Sequence, residues 1–284
     1  MNNKQQSNSP ASFHDATGPI EITLRNDMMF HCAMQRSNKA LTGLVCALKG
    51  LDPDTVKEVS LTNPIDYSQY TNKEIILDVR VILNDAEIID IELQLYPDKY
   101  WEGRSLLYLC RSFDRLGVGE EYPLLKPTTL IVITDRKLLD KDQELEFYAH
   151  YAILNVKNFQ PYSSMININV LYLNHTDLAT DEDKTNNLVY WSKLFQARTW
   201  EELKALSAQS PAFEEVAMVM YNSNIQSEEK TIMEAHQRFR DYQIAMYNNG
   251  YDDAKKEDAE KIDSLTSENQ RLRDIIAKAG LSDN

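Results

Sequence analysis

The sequence predicts a mixed α/β core followed by a helical C-terminal half, and three patterns carry this prediction. Residues 26–51 place apolar side chains at the three-and-four spacing of a helix. Residues 74–83 and 87–95 alternate apolar and polar side chains on either side of a short turn, as the arms of a β-hairpin do. Residues 127–134 form a nearly continuous apolar run, which is typical of a strand buried on both faces.

Two helical stretches flank the predicted hairpin. The first ends at Lys49-Gly50, a basic last turn followed by glycine, and Ser37-Asn38 marks a point where this stretch breaks into two helices. The second stretch covers residues 101–116 and ends at Gly117.

Two further strands and a helical region complete the predicted fold. The strands cover residues 145–154 and 165–173, with Pro161 in their connection. From about residue 182 the apolar spacing is helical throughout. The chain therefore divides into a disordered arm (1–18), an α/β domain (19–180), a helical region (181–250) and a charged, heptad-like tail (251–284).

Composition and charge restrict the class of protein. The 284 residues include 30 Lys and Arg against 44 Asp and Glu, a net charge of −14, which argues against a protein that coats nucleic acid with a broad basic surface. An enzyme that meets DNA through a small local patch remains possible. Three cysteines exclude a disulfide framework, and no apolar run approaches the roughly 18–20 residues of a membrane helix. The sequence therefore predicts a cytoplasmic protein.

The register of the predicted hairpin is its most informative property. If the hairpin is centred on Asp85, the numbers of paired residues sum to 170, and the alternation in both arms agrees with this single register. Asp78 then lies opposite Glu92, and Arg80 lies opposite Asp90. Two carboxylates that face each other across an antiparallel pair repel, so the register requires a compensating charge.

Two kinds of compensation are open. A divalent cation shared by Asp78 and Glu92 would neutralise them, because Mg²⁺ takes oxygen ligands and often only one or two carboxylates. Alternatively, the face is solvated and Arg80 neutralises the acids around it. Paired carboxylates also serve glycosidic acid–base catalysis, but the sugar-stacking aromatic residues expected of such a cleft are not evident beside them.

The chain contains an ordered set of motifs, whose centre is Asp78, followed after thirteen residues by Glu92-Leu93-Gln94. This set resembles the PD-(D/E)XK nuclease family transposases, also called the recombination-promoting nuclease family. The resemblance extends over roughly residues 20–250. The other landmarks are Asn26-Asp27-Met28-Met29-Phe30, Asn63-Pro64, Tyr108, Lys126-Pro127, Tyr190-Trp191 and Trp200-Glu201-Glu202-Leu203.

The resemblance implies a restriction-endonuclease-like core and Mg²⁺-dependent cleavage of DNA phosphodiesters. Asp78 and Glu92 would be metal ligands, with the Leu93 carbonyl as a third. Gln94 occupies the position of the superfamily lysine, and its side chain is a neutral donor and acceptor where lysine would supply a cation. Asp27 would be an accessory ligand, or else an acid favoured at a helix N-terminus by the macrodipole.

A basic group follows the motif. Arg104, Arg111 and Arg115 recur at spacings of seven and four residues and are the candidate DNA contacts. The alternative is a solvated helix face on which these arginines pair with Glu102 and Asp114.

The tail carries a separate signal, a short heptad pattern with an asparagine at an a position. Such an asparagine favours a dimer of defined register. The pattern therefore predicts a parallel homodimer formed through residues 251–284, and the alternative is a monomeric amphipathic helix. The a and d positions are Ile262, Leu265, Asn269, Leu272 and Ile276.

These observations favour a metal-dependent DNA endonuclease of the transposase or recombination-promoting type. The competing hypothesis is a catalytically inactive interaction protein that keeps the nuclease fold and assembles through its coiled-coil tail. The net charge of −14 and the glutamine at position 94 support that second hypothesis.

Overall fold

The computed structural model describes residues 12–65, 78–96, 100–138 and 144–278. They form a mixed α/β fold around a six-stranded sheet with the strand order β1-β2-β3-β4-β6-β5. The strands are β1 Val59–Leu61, β2 Val79–Leu83, β3 Glu87–Leu93, β4 Thr128–Thr134, β5 Tyr148–Leu154 and β6 Pro161–Tyr172. The helices are α1 Asp27–Arg36, α2 Asn38–Lys49, α3 Trp101–Phe113, α4 Asp181–Thr185, α5 Leu188–Gln196, α6 Trp200–Ser207, α7 Pro211–Ile225 and α8 Ser227–Lys278.

The directions of the strands determine which strand ends lie side by side at one edge of the sheet. β3, β4 and β6 are parallel, while β2 runs antiparallel to β3. The carboxyl end of β3 therefore lies beside the amino end of β2. This edge brings together Asp78, which directly precedes β2, and the Glu92-Leu93-Gln94 segment.

The two faces of the sheet differ in chemistry along β3. Ile89, Ile91 and Leu93 belong to the large hydrophobic core, which also contains the buried side chains of α1 and α2. Asp90 and Glu92 alternate with them and face the opposite side, in register with the apolar residues of β4 that pack against α3. The side chains of Asp90 and Glu92 therefore lie on the face of the sheet that packs against α3.

The predicted break in the first helical stretch is confirmed. Ser37 ends α1, and its hydroxyl accepts a hydrogen bond from the Ala40 N–H at 3.1 Å, which caps α2. Gly50 ends α2 with φ of 61°, the left-handed conformation that glycine adopts without strain.

The C-terminal half of the chain is helical, as predicted. Thr199 and Glu202 form a capping box at the start of α6, and Ser210 caps α7. α7 packs closely on α2 at Gly43, where the absence of a side chain leaves room. A Cβ atom at this position would lie 2.6 Å from the Cβ of Ala212.

Some predicted bounds were wrong for identifiable reasons. Pro161 was predicted in a connection, but it begins β6, a position where a strand needs no N–H donor. α3 ends at Phe113 instead of 116, and Arg115 donates to the Ser112 carbonyl at 3.2 Å beyond the helix end. β1 was not predicted, and predicted strand residues 74–77 lie outside the described residues.

The end of the predicted disordered arm is ordered. Phe13 is buried, and its ring lies 6.4 Å from Trp200 and 6.0 Å from Tyr221, measured between centroids. Residues 13–15 form one turn of 3₁₀ helix. Residues 1–11 lie outside the described residues.

The chain divides into two units between His236 and Gln237, within α8. In the second unit the backbone stays helical to Lys278, and the side chains of Ile262 and Leu265 are exposed. The coiled coil itself stays a prediction. The other heptad side chains, those of Asn269, Leu272 and Ile276, lie outside the described part. Within the described ranges, no helix combines the length and apolarity that crossing a membrane requires.

Candidate active site

The hairpin of β2 and β3 has the predicted register. Val79 pairs with Ile91 and Arg80 with Asp90, so the numbers of paired residues sum to 170. The turn residues Asn84 and Asp85 both have φ of 52°, a conformation that these two residue types tolerate. The ladder ends at Val79–Ile91, and Asp78 and Glu92 are the next residues beyond that pair.

The side chain of Asn63 holds the backbone at the start of β2. Its Nδ2 donates to the Asp78 carbonyl at 2.6 Å, and its Oδ1 accepts from the Arg80 N–H at 2.9 Å. The Nε2 of His31 lies 3.2 Å from the Asn63 carbonyl oxygen. Burial lowers the pKa of His31 to about 4, so this imidazole is neutral at pH 7. The Asn63-Pro64 landmark thus has a local structural role, which is to position Asp78.

Arg80 is paired with a single carboxylate. Its Nε lies 2.5 Å from Asp90 Oδ1, and its Nη2 lies 3.2 Å from Asp90 Oδ2, a two-pronged interaction. Asp90 and Glu92 are both buried, with exposed fractions of 6% and 8%. The hypothesis of a solvated face is therefore wrong for these two acids.

Asp78 lies in a region of unfavourable charge. Burial raises the pKa of Asp78 to about 6, and the neighbouring Asp90 carboxylate contributes to the rise. The positive charges of Arg80 and Arg104 act in the opposite direction. Negative charge on Asp78 is thus only partly compensated by the protein.

Gln94 connects the end of β3 to α3. Its side chain is buried, and its Nε2 donates to the Tyr96 carbonyl at 2.7 Å. Its Oε1 accepts a hydrogen bond from Arg104 Nη2 at 3.1 Å. The Arg104 guanidinium lies 5.1 Å from the centroid of the Trp101 ring, within the range of a cation–π interaction. Arg104, which was predicted as a DNA contact, thus donates a hydrogen bond to the motif residue Gln94.

The other predicted arginines do not share this environment. Arg111 lies on α3 and is exposed. Arg115 is exposed and lies two residues beyond the end of α3, beside the helix. Their contact with DNA stays a prediction.

Two further predicted site residues have backbone positions that bear on their roles. Asp27 is the first residue of α1, where the helix macrodipole favours its charge, and Asn26 caps the helix by accepting from the Met29 N–H at 3.1 Å. Leu93 could bind a metal only through its backbone carbonyl, because its side chain, which is buried in the large core, has no ligand atom. Roles for both in metal binding stay predictions.

The donor set fits Mg²⁺ better than it fits a metal held entirely by protein. The described residues contain no group of three or more His, Cys, Asp or Glu side chains that could hold a metal ion. Asp90 is paired to Arg80, so the predicted set is limited to the two carboxylates of Asp78 and Glu92. Mg²⁺ is commonly bound by one or two carboxylates together with water and substrate phosphate.

Sequence reasoning missed the positions of Asn63 and Arg104 in this site. Arg104 follows Trp101 by three residues, and the buried stripe of α3 includes Trp101, Ser105 and Leu109. That spacing places Arg104 at the border of the buried stripe and could have indicated an inward orientation. For Asn63 the sequence offered only the Asn-Pro landmark.

Comparison with known proteins identifies the family. A model of the PD-(D/E)XK nuclease family transposases matches residues 24–249, which include the hairpin, the motif residues and most of the helical region. Searches among curated proteins and among solved structures found no match. Because the family model covers most of the chain, this protein belongs to the PD-(D/E)XK nuclease family transposases.

Proposed function

We propose that this protein is a divalent-metal-dependent DNA endonuclease that hydrolyses phosphodiester bonds. The observation that carries the proposal is the edge where β2 begins and β3 ends, which holds the acids Asp78 and Glu92 beside the buried Gln94. Membership of a nuclease family supports DNA as the substrate.

The roles of the residues follow from their chemistry. Asp78 and Glu92 would hold Mg²⁺ or another divalent cation, with the Leu93 carbonyl as a third ligand and Asp27 as an accessory one. When bound, the cation would make water a stronger nucleophile and offset the charge that develops on the phosphoryl oxygens. Arg80 keeps Asp90 paired, so that Asp90 does not compete for the cation. Gln94 acts through the hydrogen bonds of its amide to the Tyr96 carbonyl and to Arg104 at the end of β3.

Assembly would bring two such sites to one DNA. The exposed apolar side chains of Ile262 and Leu265 support a parallel homodimer formed through residues 251–284, because a partner helix would remove them from water. Such a dimer suits breakage of both strands of a duplex. Exposed Arg111 and Arg115 would contact phosphates outside the reacting centre.

A plasmid assay tests the proposal. Purified protein should nick supercoiled DNA with Mg²⁺ and should not do so with EDTA. Asp78→Asn and Glu92→Gln should abolish nicking without unfolding the protein. Asp85→Asn is the matched control, since this acid belongs to the same hairpin but its side chain is 88% exposed at the opposite end. Nicking that survives in either site variant would place the reaction elsewhere.

The alternative proposal is a catalytically inactive nuclease-fold protein that functions through assembly. The neutral Gln94 at the lysine position is the observation that favours it. Under this alternative, neither Mg²⁺ nor Mn²⁺ supports cleavage of any plasmid or oligonucleotide substrate, while the chain still associates through its tail.

A further inference from the structure

The contacts of Gln94 determine what its side chain can do. Its amide nitrogen is engaged with the Tyr96 carbonyl, and its amide oxygen accepts from Arg104. The buried amide therefore presents its acceptor end to a guanidinium. A glutamine in this orientation cannot provide positive charge itself, but it fixes the position of a residue that can.

Arg104 is held on two sides. The hydrogen bond from Nη2 to Gln94 fixes the guanidinium at the end of β3, and the buried Trp101 ring supports it from within α3. Its charge also acts on Asp78. A guanidinium that is planar, always charged and fixed at two points is suited to contact a phosphate.

From this geometry we propose that Arg104 is the cation of the active site, in place of the motif lysine, and that Gln94 is its positioning residue. This inference rests on the proposed function. The positive charge comes from α3 instead of β3, and Arg104 would contact the scissile phosphate, where it stabilises the charge that develops on the phosphoryl oxygens.

The other arginines near this edge are less suited to the role. Arg80 is held by both oxygens of Asp90. Arg136 lies 6.0 Å from the centroid of the Tyr96 ring, but its side chain is 61% exposed and its Nε lies 3.6 Å from an Asp135 oxygen. The two-pronged contact directs the Arg80 guanidinium at Asp90, and exposure to water weakens the field that Arg136 exerts on a reacting phosphate.

A cation at this place has opposite effects on two measurable quantities. It stabilises the transition state, so its loss should slow cleavage by about 10²–10³-fold, as loss of one preorganised electrostatic partner typically does. It also repels a metal ion at Asp78 and Glu92, so its loss should tighten metal binding, by about tenfold. A merely structural role would weaken both properties.

The test uses Arg104→Ala, Gln94→Lys and the double variant, with Arg198→Ala as the control for loss of an exposed, remote arginine. Arg104→Ala should slow plasmid nicking as stated, whereas Arg198→Ala should not change it. Gln94→Lys returns a positive charge to the end of β3. The double variant should therefore cleave at least tenfold faster than Arg104→Ala alone. Parental cleavage by Arg104→Ala, or no recovery in the double variant, overturns the inference.

Calorimetric titration with Mn²⁺ separates this inference from the proposed function. Arg104→Ala should bind Mn²⁺ more tightly than the parent, and a cooperative thermal melt in metal-free buffer should show that the variant is still folded. Unchanged or weaker Mn²⁺ binding overturns the role of Arg104 even if the parent cleaves DNA. If the parent cleaves nothing, the proposed function fails, yet tighter Mn²⁺ binding by Arg104→Ala still supports Arg104 as the cation of this site.

Discussion

Replacing Asp78 by asparagine should stabilise the metal-free protein above pH 6. Burial and Asp90 raise the pKa of Asp78 from 3.8 to about 6. The folded protein therefore holds this proton more tightly than the unfolded chain does. Consequently, the free energy of unfolding falls as the pH rises from 3.8 to about 6. Above that interval the ionised Asp78 carboxylate destabilises the folded protein by its full amount.

The magnitude follows from the size of the pKa shift. Each unit corresponds to 1.36 kcal/mol, so the ionised Asp78 costs about 3 kcal/mol at pH 8. The neutral amide of asparagine also needs hydrogen-bond partners, and about half of this gain should remain. We expect Asp78→Asn to raise the melting temperature by roughly 5 °C at pH 8 in EDTA and to lower it by a few degrees at pH 4, where little of the ionisation penalty remains and the cost of the amide persists.

Thermal melts of parent and variant between pH 4 and 8 check this expectation. Asp85→Asn is the control with the opposite sign, because Lys126 lowers the pKa of Asp85 and its removal should not stabilise the protein. Addition of Mg²⁺ should raise the melting temperature of the parent more than that of Asp78→Asn. A variant that melts at or below the parent in EDTA at pH 8 would refute the reasoning.

Four further outcomes are expected. Gln94→Leu should slow plasmid nicking by removing the polar contact at the site, and cleavage at the parental rate would make Gln94 a bystander. Truncation after Gly250 should convert a dimer to a monomer in light scattering while the core stays folded. Asn269→Leu should strengthen association but produce a mixture of oligomeric states. A full-length protein that is monomeric at tens of micromolar would contradict both expectations. Phe159 has φ of 58°, so Phe159→Gly should stabilise the chain by about 1 kcal/mol in urea unfolding, whereas Phe159→Ala should not. In fluorescence anisotropy, the protein should bind duplex DNA in Ca²⁺ and not in EDTA. Equal binding in both would show that DNA affinity does not depend on a bound metal.

The parts of the fold that depend on local pattern could be predicted. The alternation along β2 and β3 determines which side chains share a face, so the pairing of Arg80 with Asp90 follows from the sequence. The division of the first helical stretch also follows, because the Ser37 side chain is a local capping signal.

Contacts between segments that are distant in the sequence produce no repeating pattern of apolar and polar residues that could predict them. Asn63 reaches Asp78 from the loop after β1, and Arg104 reaches Gln94 from the next helix, and both depend on how elements pack. Charge alone suggested that Arg104 would be solvated. Cation–π support from Trp101 and the hydrogen bond to buried Gln94 offset the cost of partial burial.

The balance of charge at the site explains how an acidic protein would approach DNA. The site holds three carboxyl groups, those of Asp78, Asp90 and Glu92, and two guanidinium groups, those of Arg80 and Arg104, so its formal charge is 2 − 3 = −1. This charge would repel a phosphodiester, and the net charge of −14 adds to the repulsion. A divalent cation reverses the local sign and would attract the phosphate. Metal binding and DNA binding should therefore be coupled, and the raised pKa of Asp78 is the cost of keeping this site negative until the cation binds.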